Sequence, residues 1–138
     1  MKKLITLAVL TITTTASAQE MAQHFFKSWD TNEDGAITLE ELFNKRDNVF
    51  ASFDLDEDGI LNLEEYTTFD EARANDHAGN GGEEGKGNGF HKGMELAFND
   101  VNGDGEVSRA EFLTMSKDWF IAMDKSEDGK VTIEDLAH

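Results

Sequence analysis

An all-α fold of four helix–loop–helix units in two pairs, with short strand contacts between loops, is predicted by three features of this 138-residue chain. An acidic, glycine-containing pattern of twelve residues occurs four times. Apolar residues recur at helical spacing beside those loops. A glycine-rich stretch divides the repeats two and two.

Residues 1–18 stand apart from the fold. Lys2 and Lys3 precede the apolar run Leu4 to Ile12, and Ala16-Ser17-Ala18 supplies small residues at a cleavage position. That order predicts a secretory signal peptide cut after Ala18 and a periplasmic or secreted protein. The apolar run is nine residues, whereas a membrane-spanning helix needs about 20, so no membrane association is expected after cleavage. Disulfides and lipid attachment through cysteine are excluded, because the chain has no cysteine.

Removing 18 of 138 residues leaves 120, and losing Lys2 and Lys3 takes the net charge from −17 to −19. Such a chain repels nucleic acid and anionic membrane surfaces. Its ten phenylalanines and two tryptophans at regular spacing argue for a packed core rather than a disordered acidic tail. The carboxylates are also concentrated: 20 of the 29 lie in the four loops.

Loop 1 runs from Asp30 to Glu41, loop 2 from Asp54 to Glu65, loop 3 from Asp100 to Glu111 and loop 4 from Asp124 to Asp135. Each has Asp at position 1, Asn, Asp or Ser at 3, Asp at 5 and Gly at 6. Position 8 is apolar, position 9 is Thr, Asn or Ser, and position 12 is an acid. Oxygen donors in this pattern suit a hard cation such as calcium, which takes six to eight oxygens at roughly 2.3–2.6 Å. A chance match of about five residue types in register, repeated four times, is negligible.

On these motifs the chain resembles the EF-hand (calmodulin-like) superfamily, in particular the small secreted or periplasmic EF-hand proteins of bacteria. The resemblance covers nearly all of the mature chain except the central spacer and implies three or four bound Ca2+ ions. Carried over by position, it implies Asp30, Asn32, Asp34, Ala36, Thr38 and Glu41 as ligands in loop 1. In loop 2 they are Asp54, Asp56, Asp58, Ile60, Asn62 and Glu65. Loop 3 offers Asp100, Asn102, Asp104, Glu106, Ser108 and Glu111, and loop 4 Asp124, Ser126, Asp128, Lys130, Thr132 and Asp135. Position 7 serves through its backbone carbonyl, so its side chain is unconstrained. Loop 4 departs twice, with Ser126 at position 3 and the shorter Asp135 at position 12. Loop 4 is therefore expected to be weakest and open to Mg2+ competition, and loop 2, with three Asp and a Glu, tightest.

Helices are predicted over Met21 to Trp29, Leu39 to Phe53, Leu63 to Ala78, Phe90 to Phe98 and Ala110 to Met123, with a stub after Ile133. Leu39, Leu42, Phe43, Val49, Phe50 and Phe53 form one apolar stripe, and Phe112, Met115, Trp119 and Met123 another, read as core. Residues 79–89 contain six glycines and no apolar side chain, which predicts a flexible linker between pair 1 (19–78) and pair 2 (90–138). Two glutamates inside the linker argue against a phosphate-cradling loop.

Loops 1 and 2 start 24 residues apart, as do loops 3 and 4, and no Gly or Pro lies in the twelve residues between them. Each intervening stretch is thus one continuous helix, about 22 Å long at 1.5 Å per residue, which holds its two loops apart. The position-8 residues Ile37, Leu61, Val107 and Val131 are then expected to pair across the two halves, not within them.

Binding is expected to convert into folding energy, since metal relieves repulsion among crowded carboxylates. Calcium-dependent binding of an unidentified protein target is the alternative, either calmodulin-like, through a groove lined by Met115, Trp119 and Met123, or dockerin-like, suggested by Asp100-Val101-Asn102-Gly103-Asp104-Gly105. An enzyme is not expected. His24, His77, His91 and His138 are scattered, and no nucleophile setting is recognisable.

Overall fold

The computed structural model describes residues 16–79 and 92–136. Its helices are α1 (Ala16–Trp29), α2 (Leu39–Phe53), α3 (Leu63–Gly79), α4 (Leu96–Asn99), α5 (Arg109–Met123) and α6 (Ile133–Leu136). Two short strands, β1 (Ile60–Leu61) and β2 (Val107–Ser108), lie inside loops 2 and 3. Among the described residues, no helix is long and apolar enough to cross a membrane. Most of the predicted signal peptide and of the predicted glycine-rich linker lies outside the described residues.

Helices α2 and α5 are the frame, and each begins for the same local reason. Thr38 caps α2 and Ser108 caps α5, each accepting from the backbone N–H three residues on, while Glu41 and Glu111 reach back to the cap N–H. This reciprocal capping box satisfies N–H groups that a helix start leaves open. Both helices run 15 residues and end where Asp54 and Asp124 take up the next loop, their N–H groups donating to Phe50 and Phe120 at 2.9 Å. As expected, each is one continuous strut between two loops.

The struts fix how the loops pair. β1 runs antiparallel to β2, with Leu61 opposite Val107 and Ile60 opposite Ser108. Ile37 bridges Val131, donating to its carbonyl at 2.8 Å and accepting in return at 3.0 Å. Loop 1 therefore pairs with loop 4 and loop 2 with loop 3, across the sequence halves as predicted.

The core follows the same crossing. Trp29 meets Trp119 edge-on at 5.1 Å, Phe50 lies 5.7 Å from Phe112, and Phe69 lies 6.5 Å from Phe112. Each pair takes one ring from each half, and such contacts add about 0.5–1.5 kcal/mol beyond burial. On the surface, Arg109 grips Asp47 with Nε and Nη2 at 2.8 and 2.7 Å. That exposed link contributes less than about 1 kcal/mol.

Three expectations need correction. Leu39 and Phe43 are not core: they are 38% and 43% exposed, because α2 turns the stripe Leu42, Arg46, Phe50 inward and leaves its first-turn neighbours at the edge. Met115 is half-buried, while Phe112, Trp119 and Met123 are buried. The predicted helix Phe90 to Phe98 is interrupted at 93–95, between helical Lys92 and the single turn α4. Its first two residues lie outside the described residues, and the chain turns at 92–95, with the Glu95 N–H donating to Lys92 at 3.1 Å.

At Gly93 the turn packs directly against Trp119. A Cβ there would stand 1.9 Å from Cδ2 of Trp119, and Trp119 is itself enclosed. Gly93→Ala should destabilise the protein by about 2–3 kcal/mol through overpacking, lowering the melting temperature by roughly 10 °C. Thermal melts followed by circular dichroism check this, and an unchanged melting temperature would show that the close approach is absent.

Candidate metal centre

Each loop folds around its own carboxylates by one hydrogen-bond scheme. The position-1 aspartate accepts from the N–H groups of positions 5 and 6: Asp30 from Asp34 and Gly35 at 3.2 and 3.0 Å, Asp54 from Asp58 and Gly59 at 3.1 and 2.9 Å. Asp100 does the same with Asp104 and Gly105, and Asp124 with Asp128 and Gly129. The position-5 carboxylates of Asp34, Asp58, Asp104 and Asp128 accept from the position-7 N–H of Ala36, Ile60, Glu106 and Lys130 at 2.8–3.0 Å. This scheme turns the chain tightly enough to need a left-handed backbone at position 6, where Gly59 has φ +81°.

The position-12 acid closes each loop. Glu41 accepts from Asn32 N–H at 3.2 Å and Thr38 N–H at 2.9 Å. Glu65 accepts from Leu55 and Asn62 at 2.7 and 3.1 Å, and Glu111 from Asn102 and Ser108 at 3.2 and 2.9 Å. Asp135, one methylene shorter, still reaches Ser126 and Thr132 N–H at 2.9 and 2.8 Å. A carboxylate has about four lone-pair sites, so these bonds orient the acid and leave it acceptor capacity.

Position 3 is where loop 4 differs. Asn32, Asp56 and Asn102 accept from the position-5 N–H at 3.0–3.2 Å. Ser126 instead donates its hydroxyl to Asp124 at 3.2 Å. Loop 2 is the most anionic cluster: one oxygen each from Asp54, Asp56 and Asp58 lies within 4.8 Å of the others. Oxygens sharing an ion at about 2.3–2.6 Å stand at most about 5 Å apart, so the donor set fits a bound divalent cation.

Two features of the loops escaped sequence reasoning. The acid at position 12 is also the third residue of a helix, and position 9 is its cap, so loop closure and helix initiation use the same pair. The pattern Ser/Thr-x-x-Glu in 38–41 and 108–111 was the available signal. Position 4 is left-handed as well: Glu33, Glu57 and Glu127 have φ of 57–59°, and loop 3 places Gly103 there.

Electrostatics divides the acids into two kinds. Desolvation pushes Glu41 and Asp135 up, but donors outweigh it, Thr38, Thr31 and Asn32 for Glu41 and Thr132 and Ser126 for Asp135, and both end below the ordinary range. At Asp56 the Asp58 N–H favours ionisation, yet desolvation and the neighbouring Asp58, Glu65 and Asp54 charges prevail and raise it.

A helix–loop–helix fold whose four loops present convergent, backbone-oriented oxygens defines a class of divalent-cation binding proteins. The EF hand family profile matches residues 22–42, 46–70, 99–116 and 117–138, one match per loop, and the chain belongs to the EF-hand family of calcium-binding proteins. Comparison with curated proteins returned no match.

The signs of these shifts predict metal-free behaviour. Glu41 and Asp135, lowered on folding, stabilise the protein above their unfolded values near 4.5 and 3.8, and that stability is lost as pH falls through the folded values. Asp56, raised on folding, opposes folding at neutral pH. Asp56→Asn should therefore raise the melting temperature in chelator at pH 7 while weakening calcium uptake by loop 2. A variant less stable in chelator would contradict the repulsion assigned to this cluster.

Proposed function

We propose that the protein binds three or four calcium ions outside the cytoplasm, as a structural or buffering element whose metal ties its two sequence halves together. The observation that carries this reading is the oxygen frame repeated in all four loops, with positions 1, 5 and 12 oriented by backbone N–H groups. The ligands are the 24 residues that the resemblance implies, from Asp30, Asn32, Asp34, Ala36, Thr38 and Glu41 in loop 1 through Asp135 in loop 4. A bound divalent ion supplies charge that cancels the repulsion among the loop acids, so binding energy becomes folding energy. The extracytoplasmic setting rests on Lys2, Lys3, the apolar run Leu4 to Ile12 and Ala16-Ser17-Ala18.

Structure or buffering is favoured over target sensing because of where the proposed groove residues lie. Trp119 and Met123 are enclosed in the core that joins the halves, with Trp119 packed on Trp29. Exposing them would dismantle that core. The one-turn α4 ahead of loop 3 is the feature that favours a dockerin-like module. Against it, loops 3 and 4 pair with loops 2 and 1, so residues 92–136 do not form a separate plug.

Calorimetric titration of the processed protein tests the reading. Three or four ions should bind, and Asp135→Ala should remove only the weakest step, the one at which Mg2+ competes. Affinities of about 10⁻⁴–10⁻³ M are typical of extracellular modules. Absence of uptake at millimolar Ca2+ would overturn the proposal.

A further inference from the structure

Arg46 is fully enclosed at the centre of α2, between Leu42 and Phe50 on the stripe that faces α5. A cation there sacrifices its hydration and must find other partners. Among the described residues all of those partners are neutral. Nη1 donates to the Gly93 carbonyl at 2.6 Å, and Nη2 donates to Asn99 Oδ1 at 2.7 Å and the Phe112 carbonyl at 2.6 Å. The guanidinium lies 4.0 Å from the centre of the Phe112 ring and 5.1 Å from that of Trp119, where ring faces attract a cation. Burial lowers its pKa only to about 10, so it carries its charge at neutral pH.

The identity of these acceptors is informative. Asn99 immediately precedes Asp100, position 1 of loop 3, and Phe112 immediately follows Glu111, position 12. One nitrogen of Arg46 thus joins the two ends of a single loop. The amide of Asn99 is fixed in turn: Nδ2 donates to the carbonyls of Gly93 and Glu95 at 3.0 and 2.9 Å and to the Tyr66 hydroxyl at 3.2 Å. Tyr66, the residue after Glu65 of loop 2, donates to the Met94 carbonyl at 2.7 Å.

Among the described residues, the only helix leading directly into loop 3 is the one-turn α4. Helices α1, α2 and α5, of 14, 15 and 15 residues, lead into loops 1, 2 and 4, whereas α4 has four. We infer that Arg46 is a positioning residue for calcium binding by loop 3, a clamp from the other sequence half that holds the ends of the loop at their closed separation. A loop closed before the ion arrives loses less conformational freedom on binding. Because Arg46 sits on the helix between loops 1 and 2, the clamp also links loop 3 to the state of that helix. The inference rests on calcium being the ligand of loop 3.

The test uses the full processed chain and follows the amides of Gly35, Gly59, Gly105 and Gly129 by NMR during calcium titration. Each donates to the position-1 aspartate of its own loop, so each reports one site. Arg46→Lys keeps the charge but loses the planar fork that reaches several acceptors. The calcium concentration at half-transition of Gly105 should rise about ten-fold, the scale of a charged hydrogen bond lost, with a smaller rise at Gly59 through the β1–β2 contact. Gly35 and Gly129 should stay near wild type. Should Arg46→Lys fail to fold, Asn99→Ala removes one end of the clamp and is read the same way. Gly105 titrating as in wild type, or all four glycines shifting together, overturns the clamp. A wild-type Gly105 that ignores calcium overturns the assignment of loop 3 as a site, and the clamp with it.

Discussion

The stiffness of two 15-residue helices governs the rest of this molecule. A helix about 22 Å long cannot bring the loops at its two ends into contact, so each loop must find its strand partner on the other helix. Antiparallel packing of α2 on α5 satisfies both loops at once, loop 1 with loop 4 at one end and loop 2 with loop 3 at the other. The aromatic core then fills the space between the struts with rings drawn from both halves. Neither half has a complete core or a complete loop pair alone.

The same economy appears inside each loop. The acid that closes each loop also accepts from the N–H of the residue that caps the following helix, and the aspartate that opens the loop holds the turn through two backbone N–H groups. Folding and cation binding therefore draw on one set of side chains. Hydrogen-bond donors stabilise the ionised form at Glu41 and Asp135, whereas at Asp56 in loop 2 desolvation and the neighbouring Asp58, Glu65 and Asp54 charges outweigh the Asp58 N–H.

Much of this was legible in the sequence because the pattern is local. The twelve-residue spacing reads directly into loop geometry, and the bounds of α2 follow from Thr38 at its start and Asp54 at its end. The crossing of the pairs was legible too, from the 24-residue spacing and the absence of Gly and Pro between loops. What could not be read was set by contacts distant along the chain. Arg46 falls on the buried face of α2 although charge marks a residue as surface, since its partners lie 47–66 residues away. Gly93 lies inside the predicted helix Phe90 to Phe98, whereas it marks a close approach to Trp119. Leu39 and Phe43 matched the helical period yet fell outside the narrow stripe that α5 covers.

Nuclear Overhauser contacts in the calcium-loaded protein test the central claim most directly, through the four position-8 residues. Ile37 should show cross-strand contacts to Val131, and Leu61 to Val107, with their amides slow to exchange. Contacts between Ile37 and Leu61, or between Val107 and Val131, would contradict the account, because they would require the two struts to bend.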